Sequence, residues 1–272
     1  MLQVISMADS ALRPMTVPEF RSARSANRRL AVVTAYDFTS AVIAEAAGVD
    51  CILVGDSLGM VVQGHATSLP VTLAEMVYHT RMVARGAKRA LIVTDLPFGS
   101  YQESPRQTVR SAAKLLKAGA GAVKLEGGVR MAEAIAACTR ADIPVMAHIG
   151  LTPQSVHRMG GFKVQRDAGA LMEDALAVER AGAFSVVVEG VPAEVGAKIT
   201  KAVTITTIGI GAGPDCDGQV LVWHDLLGLY DGLRPKFVKR FVELGALAQS
   251  ALEEYCREVR SGTFPAAEHS FK

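Results

Sequence analysis

Two charged residues, Lys124 and Glu126, close a short apolar segment in the stretch AGAGAVKLEGG (118–128). Alternate side chains of a strand point to opposite faces, so these two residues share one face. Burying a cation and an anion is costly unless they are paired or bind something. Gly127 and Gly128 then let a ligand approach the backbone. The pattern fits an active site and a salt bridge at the rim of a sheet equally well.

Polar or charged residues also follow the other apolar segments of the chain. In chain order they are Asp37, Asp56, Ser57, Asp95, Lys124, Glu126, His148, Glu189 and the pair His224 and Asp225, with the glycine-rich stretch 209–213 before that pair. A single acid at a strand end is usually the N-cap of the next helix, and we interpret Asp37 in that way. Capping does not require long glutamate side chains at two strand ends, so the repetition indicates a functional site.

The apolar segments predict eight strands. They lie within residues 30–37, 46–57, 84–97, 117–128, 142–150, 180–190, 203–213 and 219–225, and most are apolar throughout, as in a parallel sheet covered on both faces. Helical patterns lie between them at 40–47, 73–85, 105–117, 129–139, 169–181 and 192–202. The alternation predicts an α/β fold, a (β/α)₈ TIM barrel with its active site at the C-terminal ends of the strands. An open doubly wound sheet is the alternative.

No linker or low-complexity tract interrupts the chain, so we expect a single barrel domain over residues 1–272. Residues 1–28 would form an N-terminal extension and capping segment. Apolar residues at helical spacing predict a long C-terminal helix at 235–260, used for core or subunit packing. The long polar stretch 150–168 is typical of a loop over one end of the sheet. The last two predicted strands lie too close together for a full helix between them.

Composition excludes several classes of partner. The net charge is only +2 and no basic block is present, so neither nucleic acid nor an anionic membrane surface is expected as a partner. The first residues lack the pattern of a signal peptide, and no apolar run is long enough to span a membrane. The cysteines are far apart without a C-x-x-C pair, which predicts reduced thiols and a cytoplasmic location.

Three acidic residues, Asp56, Asp95 and Glu126, come from consecutive predicted strands. Three carboxylates that converge cannot all stay ionised without a cation, and an all-oxygen set of ligands favours Mg²⁺. Lys124 would balance the remaining charge or bind an anionic substrate. His148 fits a hydrogen-bond donor to the substrate and also an ordinary core histidine.

Glu189 ends an apolar strand that lies, in strand order, away from the three carboxylates, and a carboxylate in this position suits a general base. The residues together predict a metal-assisted enzyme in which the metal chelates a 2-oxo acid and Glu189 removes a proton from the neighbouring carbon. Mg²⁺ and Lys124 would stabilise the resulting enolate. Two alternatives stay open: a Schiff base on Lys124, and a barrel that binds a metabolite without catalysis.

Long stretches of the chain resemble the ketopantoate hydroxymethyltransferase family. They include LVGDSLGMVVQGH (53–65), DLPFGSY (95–101), AVKLEGG (122–128), PVMAHIGLTPQSV (144–156) and IGIGAGPDCDGQVLVWHD (208–225), and the resemblance spans residues 30–271. One departure follows Gln165, where the sequence continues RDAGALMEDA. The family usually has Gly-Arg and a longer acidic stretch there, so the loop before the next helix is shortened.

The resemblance implies a (β/α)₈ barrel with one Mg²⁺ per subunit. It implies transfer of a hydroxymethyl group from the co-substrate 5,10-methylenetetrahydrofolate to 3-methyl-2-oxobutanoate, giving 2-dehydropantoate, the first committed step of pantothenate biosynthesis. It also implies a cytoplasmic homo-oligomer, a decamer. A barrel of the phosphoenolpyruvate- or isocitrate-lyase type, which uses Mg²⁺ and an enolate in C–C bond cleavage or condensation, is the alternative.

The family's functional positions match residues of this sequence. Asp56, Asp95 and Glu126 match the metal ligands. Asp56, Ser57, Asp95 and Lys124 match the contacts to the 2-oxo acid. Glu189 matches the proton acceptor, and Lys124 and His148 match positions in the catalytic site.

Overall fold

The structure is a computed structural model that describes residues 13–232 and 234–271. The chain divides into two compact units, one that ends at Val222 and one that begins at Trp223. Each unit is described by itself. The expectation of one domain over 1–272 stays a prediction, and residues 1–12 of the expected N-terminal extension lie outside the described residues.

Eight parallel strands close into a barrel in the first unit, and each strand pairs with the next in the sequence until β8 pairs with β1. The strands are β1 (Leu30–Thr34), β2 (Cys51–Val54), β3 (Leu91–Asp95), β4 (Ala122–Glu126), β5 (Val145–Gly150), β6 (Ser185–Glu189), β7 (Thr206–Ile210) and β8 (Gly218–Leu221). Because β2 to β5 are buried along their whole length, their sequences are mainly apolar instead of alternating, and the charged residues of β3 to β5 lie toward the C-terminal ends. The (β/α)₈ barrel is confirmed.

Helices surround the barrel, and six of them match the predicted helical patterns. Those of the first unit are α1 (Val17–Ser25), α2 (Phe38–Ala46), α3 (Leu58–Val61), α4 (Leu73–Gly86), α5 (Pro105–Ala118), α6 (Ala132–Arg140), α7 (Val156–Met159), α8 (Ala168–Arg180) and α9 (Ala193–Ala202). The segment 211–217 between β7 and β8 contains no helix, so the last unit of the barrel is degenerate, as expected.

Side-chain caps fix where several helices begin. Asp37 accepts a hydrogen bond from the Ser40 amide at 2.7 Å and is the N-cap of α2, which confirms its interpretation. Thr72 and Glu75 form a reciprocal capping box at the start of α4. A local N-cap therefore explains the acid at the end of β1 and separates it from the acids of the other strand ends.

The N-terminal ends of the strands are closed by α1, a helix that the sequence pattern did not predict. Phe20 on this helix is fully buried, and its ring packs edge-on against Phe184 with 5.7 Å between the centroids. Thr16 caps the helix, and Arg24 binds the backbone carbonyls of Thr200 and Ile205. The helix therefore belongs to the core of the barrel.

The expected loop at 150–168 contains more regular structure than its polar sequence suggested. A 3₁₀ turn covers Pro153–Ser155, and α7 follows it directly. The helix ends because Gly160 adopts a left-handed conformation with φ +67°. The prediction of a continuous loop is wrong for these residues, and residues 160–167 are irregular.

The second unit corrects two predicted boundaries. The last strand ends at Leu221, and His224 and Asp225 lie on the short helix α10 (Trp223–Leu227) instead of at a strand exit. The last helix, α11 (Leu244–Ser261), begins later than the predicted 235–260. A helix that began at residue 235 would carry positive charge close to its N-terminus, where the helix dipole disfavours it. The residues concerned are Lys236 in the first turn and Lys239 and Arg240 directly after it.

The helix α11 presents apolar side chains to solvent within its unit. More than half of Leu247, Leu252 and Tyr255 is exposed. In the part of the chain that the structure describes, no helix combines the length and the hydrophobicity needed to cross a membrane.

Candidate active site

The register of the barrel brings the predicted site residues to one end. Asp95 lies opposite Lys124 across β3 and β4, and Glu126 lies opposite His148 across β4 and β5. Glu189 ends the next strand. Asp56 and Ser57 follow β2 directly. Since all of these positions are at the C-terminal ends of strands, the closed barrel converts distant sequence positions into one cluster.

Lys124 and Asp95 form a buried ion pair with 3.0 Å between Nζ and Oδ1. Both side chains are almost completely buried. Burial by itself lowers the pKa of Lys124, but the attraction of neighbouring carboxylates outweighs burial and raises that pKa above its usual value. The lysine is therefore a permanent cation, which disfavours the role of an amine nucleophile and favours the binding of an anion.

His148 lies between the lysine and two glutamates. Its Nδ1 is 3.2 Å from Lys124 Nζ and 3.6 Å from Glu126 Oε1, and its Nε2 is 3.1 Å from Glu189 Oε2. Burial and Lys124 lower the histidine pKa, but Glu126 and Glu189 raise it more, to about 9. From strand order we expected Glu189 to lie away from Asp56, Asp95 and Glu126. In the structure, His148 contacts both Glu189 and Glu126 and so links the two glutamates.

Asp56 has the most unfavourable electrostatic environment of the cluster. Burial, followed by the nearby carboxylates of Asp95 and Glu126, raises the pKa of Asp56 well above its usual value. Its backbone N–H donates to Asp95 Oδ2 at 3.0 Å. A Cβ atom at Gly55 would lie only 2.8 Å from Ser57 Oγ, so glycine lets the loop after β2 fold tightly against this site. Ser57 Oγ is 2.9 Å from the buried Tyr36 hydroxyl.

Gln154 and Tyr101 complete the cluster, and the sequence reasoning assigned neither of them a role. Gln154 donates from Nε2 to Asp56 Oδ2 at 2.8 Å and from its backbone N–H to Glu126 Oε2 at 2.9 Å. Tyr101 donates to Gln154 Oε1 at 2.8 Å. Both residues lie in stretches that carry the family resemblance, but no periodicity identifies them, because they project from loops that the barrel folds over the strand ends.

A cavity of about 220 Å³ adjoins the cluster. Its wall includes Gly127 and Gly128, which follow Glu126 directly, and Ile149, which follows His148. The charged side chains around it are Arg130, Arg158, Asp167 and Asp174. Asp174 Oδ1 accepts a hydrogen bond from the Val129 amide at 2.8 Å, which holds this carboxylate above the glycines. A second small molecule could thus reach the end of β4.

The predicted metal ligands do not form a closed triad. Among residues 13–232 and 234–271, no group of three His, Cys, Asp or Glu side chains is arranged to hold a metal ion. Gln154 occupies one oxygen of Asp56 and one of Glu126, and Lys124 faces Asp95. The set nevertheless has the chemistry of a hard cation site, because buried carboxylates from Asp56, Asp95 and Glu126 supply only oxygen donors.

The charges of the cluster also favour a divalent cation. Four carboxylates face two cationic groups, Lys124 and a protonated His148, which leaves two negative charges uncompensated when every carboxylate is ionised. The carboxylates are those of Asp56, Asp95, Glu126 and Glu189. A bound Mg²⁺ would neutralise this excess.

Other histidines singled out by residue type lie outside the cluster. His79 binds the carbonyl oxygen of Tyr36 at 2.5 Å, and His269 lies in the second unit. The glycine-rich stretch 209–213 ends β7 and leads into the connection to β8.

Comparison with known proteins identifies close relatives. A sequence profile described as ketopantoate hydroxymethyltransferase matches residues 14–267. The chain is 54% identical over 263 residues to 3-methyl-2-oxobutanoate hydroxymethyltransferase of Pelobacter propionicus, covering 95% of this chain and 98% of the relative. It is 58% identical over 246 residues to the enzyme of the same name from Desulforapulum autotrophicum, covering 90% and 94%.

Solved structures with a similar fold are much more distant in sequence. Phosphonopyruvate hydrolase in complex with oxalate and Mg²⁺ superposes with a TM-score of 0.63 at 15% identity, covering 94% of this chain and 93% of that one. For 2,3-dimethylmalate lyase, a member of the PEP mutase/isocitrate lyase superfamily, the TM-score is 0.55 at 17% identity, with 93% and 92% covered. At this identity the likeness shows the barrel fold alone.

Proposed function

Because the chain belongs to the ketopantoate hydroxymethyltransferase family, we propose that it transfers a hydroxymethyl group from 5,10-methylenetetrahydrofolate to 3-methyl-2-oxobutanoate. The product is 2-dehydropantoate. The single observation that carries this proposal is the pair of contacts at the barrel mouth, Lys124 with Asp95 and His148 with Glu189. The first provides a cation for a 2-oxo acid and the second provides an oriented base.

Binding of the 2-oxo acid depends on Lys124, Ser57 and the carboxylates around them. The ammonium group of Lys124 is buried and charged, so it attracts a substrate carboxylate or a developing oxyanion strongly. Ser57 is held by Tyr36 and offers a hydroxyl group beside Asp56. These groups are already in place before substrate arrives, which reduces the ordering required on binding.

Asp56 and Asp95 would hold Mg²⁺ as a resident cofactor in the proposed enzyme, and Glu126 would contribute directly or through water. When bound, the ion supplies Lewis-acid polarisation of the 2-oxo group, which acidifies the adjacent carbon. The support is the all-oxygen donor set and the crowding of the Asp56 carboxyl by Asp95 and Glu126, which a cation would relieve. Few protein ligands with room for water suit this ion.

Glu189 acts as the general base in the proposed reaction. It takes the proton from C3 of the 2-oxo acid on a carboxylate oxygen, and His148 holds this carboxylate through the 3.1 Å contact. The C3 electron pair forms the new C–C bond to the one-carbon unit, and both bonds from that carbon to folate nitrogens break. One nitrogen receives the proton that Glu189 removed, and the other receives a proton from water. Water supplies the hydroxyl oxygen, and tetrahydrofolate leaves.

We place one end of the folate co-substrate in the cavity beside Gly127 and Gly128, whose volume of about 220 Å³ can enclose only part of such a molecule. Two arginines and two aspartates around that cavity can meet a heterocycle and an anionic tail. Self-association into a homo-oligomer, a decamer as the resemblance implies, is supported by the exposed apolar side chains of α11. The cysteines are unpaired, and three of them are buried, which agrees with the proposed cytoplasmic location.

Exchange of the C3 hydrogen of 3-methyl-2-oxobutanoate in D₂O tests the proposal at its first chemical step. We expect exchange that depends on Mg²⁺ and is abolished in Glu189→Gln, because an amide cannot accept the proton. Glu194→Gln makes the same change on an exposed residue of α9 and serves as the matched control. Exchange that persists in Glu189→Gln refutes the base assignment.

The complete reaction separates the proposal from its alternatives. Formation of 2-dehydropantoate should require 5,10-methylenetetrahydrofolate. Trapping of the substrate on Lys124 by borohydride, together with activity in EDTA, would instead establish a Schiff-base mechanism. C–C bond cleavage of a 2-oxo or 2-hydroxy diacid without folate would favour the lyase alternative, which rests on the fold alone.

A further inference from the structure

Gln154 is a buried amide whose hydrogen-bonding capacity is completely used. It lies on the 3₁₀ turn after β5 and is 6% exposed. A primary amide has two N–H donors and one carbonyl acceptor with two lone pairs. A buried amide of this kind is costly to place, because each unsatisfied group loses its water. The residue is therefore tied to its surroundings at every polar atom.

The orientation of this amide is determined by its partners. Nε2 lies 3.0 Å from the carbonyl oxygen of Leu96, and a backbone carbonyl can only accept a hydrogen bond. Gln154 Oε1 faces the Gln102 Nε2 at 3.1 Å and the Tyr101 hydroxyl at 2.8 Å. Rotating the amide by 180° would place Gln154 Oε1 against the carbonyl oxygen of Leu96, and both atoms are acceptors. The Nε2 group therefore points toward the carbonyl of Leu96 and the carboxylate of Asp56.

The same residue holds two of the acidic side chains of the cluster. Its side chain donates to Asp56 Oδ2 at 2.8 Å, and its backbone N–H donates to Glu126 Oε2 at 2.9 Å. Gln154 therefore connects the loop after β5 to the ends of β2, β3 and β4. One oxygen of Asp56 and one of Glu126 are occupied by these bonds.

We propose that Gln154 is a positioning residue that sets the geometry of Asp56 and Glu126 for the divalent cation and the 2-oxo acid. By occupying Asp56 Oδ2, it leaves Oδ1 to face a ligand. By occupying Glu126 Oε2, it leaves Oε1 facing His148 Nδ1 at 3.6 Å. The Tyr101 hydroxyl lies 2.8 Å from Gln154 Oε1 and also contacts the backbone of Glu126, so it supports both the amide and the end of β4. This inference rests on the proposed function.

Gln154→Glu is the sharpest substitution, because it keeps the shape and changes donor into acceptor. The new carboxylate would face Asp56 Oδ2 and the Leu96 carbonyl, so Asp56 must turn away or take up a proton. Groups that orient metal ligands typically change metal affinity or activity by about 10–100-fold when they are altered. We expect a loss of that size in the affinity for Mg²⁺ alone, and in that for 3-methyl-2-oxobutanoate with Mg²⁺.

The test measures binding by titration calorimetry on the full chain, together with exchange of the C3 hydrogen in D₂O. Tyr101→Phe removes a hydroxyl that contacts both Gln154 Oε1 and the Glu126 backbone, so it should weaken Mg²⁺ binding in the same direction but less than Gln154→Glu does. Gln154→Met removes the side-chain donor without adding a charge and should also weaken Mg²⁺ binding. It decides the matter if Gln154→Glu does not fold. Thr200→Val removes a buried hydrogen bond to Thr207 at 2.9 Å, away from the strand ends, and controls for lost stability.

The outcomes distinguish the inference from the proposed function. Wild-type affinity for Mg²⁺ and for the 2-oxo acid in both Gln154→Glu and Gln154→Met overturns the positioning role. If Thr200→Val loses as much affinity for Mg²⁺ as Gln154→Glu does, the loss reflects general destabilisation, and the positioning role of Gln154 is overturned as well. If the wild-type protein exchanges no hydrogen with Mg²⁺ present, the proposed function fails, whereas the binding measurements still report on Gln154.

Discussion

At the scale of single residues, the cluster combines a permanently charged lysine with a histidine whose charge depends on its glutamate partners. Lys124 is held by Asp95, and His148 reaches Glu126 on one side and Glu189 on the other. The histidine pKa of about 9 means that it carries a proton at neutral pH. The charged imidazole lies 3.1 Å from the proposed base, Glu189.

Lys124→Met should weaken both 2-oxo acid binding and folding. The substitution leaves Asp95 buried without its cation, and breaking a buried pair in this way costs about 3–5 kcal/mol. Urea unfolding measures the stability, and calorimetry measures the binding of 3-methyl-2-oxobutanoate. Lys198→Met removes an exposed lysine from α9 and should change neither. Unchanged binding in Lys124→Met would remove the lysine from the substrate site.

At the scale of elements, helices are attached to the barrel by specific polar bonds as well as by packing. Glu179 on α8 accepts hydrogen bonds from the amide and hydroxyl groups of Thr204 at 2.6 Å, just before β7. Burial alone raises the pKa of Glu179, but these bonds outweigh it and hold that pKa below its usual value. The ionised carboxylate therefore stabilises the junction between α8 and β7.

Glu179→Gln should destabilise the protein at neutral pH more than at acidic pH. A carboxyl group whose pKa is lowered by folding contributes stability above its unfolded pKa of about 4.3, and loses that contribution as the pH falls through the folded value. The difference in unfolding free energy between wild type and variant should accordingly shrink as the pH falls below about 4. Glu173→Gln, at an exposed position of the same helix, is the control; a difference independent of pH would contradict the assignment.

The sequence alone predicted the strands and the helices between them well, because each buried strand is an apolar run that ends at a glycine or a polar residue. The site was predicted as far as residue type at a strand end could indicate it, which covers Asp56, Asp95, Lys124, Glu126, His148 and Glu189. Gln154 and Tyr101 were missed because amide and phenol groups in loops have no periodic signal. Helix α1 was missed because its apolar residue Phe20 stands almost alone in a polar segment.

At the scale of the whole molecule, the barrel has a functional end and a structural end. Charged groups collect at the C-terminal ends of the strands, whereas Phe20 and Phe184 fill the N-terminal ends. The interior between them is apolar, with Val32, Leu53 and Val93 in the same buried cluster. Closure at one end therefore supports the geometry at the other, because both ends belong to the same eight strands.

Phe20→Ala should destabilise the barrel by about 3–5 kcal/mol, since it removes a fully buried ring. Denaturant unfolding followed by circular dichroism measures the effect. Phe38→Ala deletes a ring that is half exposed and should cost much less. If Phe20→Ala lowered the free energy of unfolding as little as Phe38→Ala does, the conclusion that α1 stabilises the barrel would be wrong.

The order of the site residues along the chain divides the chemistry between two half-barrels. Strands β1 to β4 with their loops carry Asp56, Asp95, Lys124 and Glu126, which are the proposed cation ligands and the lysine. Strands β5 and β6 with their loops carry His148, Gln154 and the proposed base, Glu189. Glu126 meets His148 only when β4 pairs with β5. A fragment that ends after β4 would therefore hold the proposed cation ligands but not the proposed base.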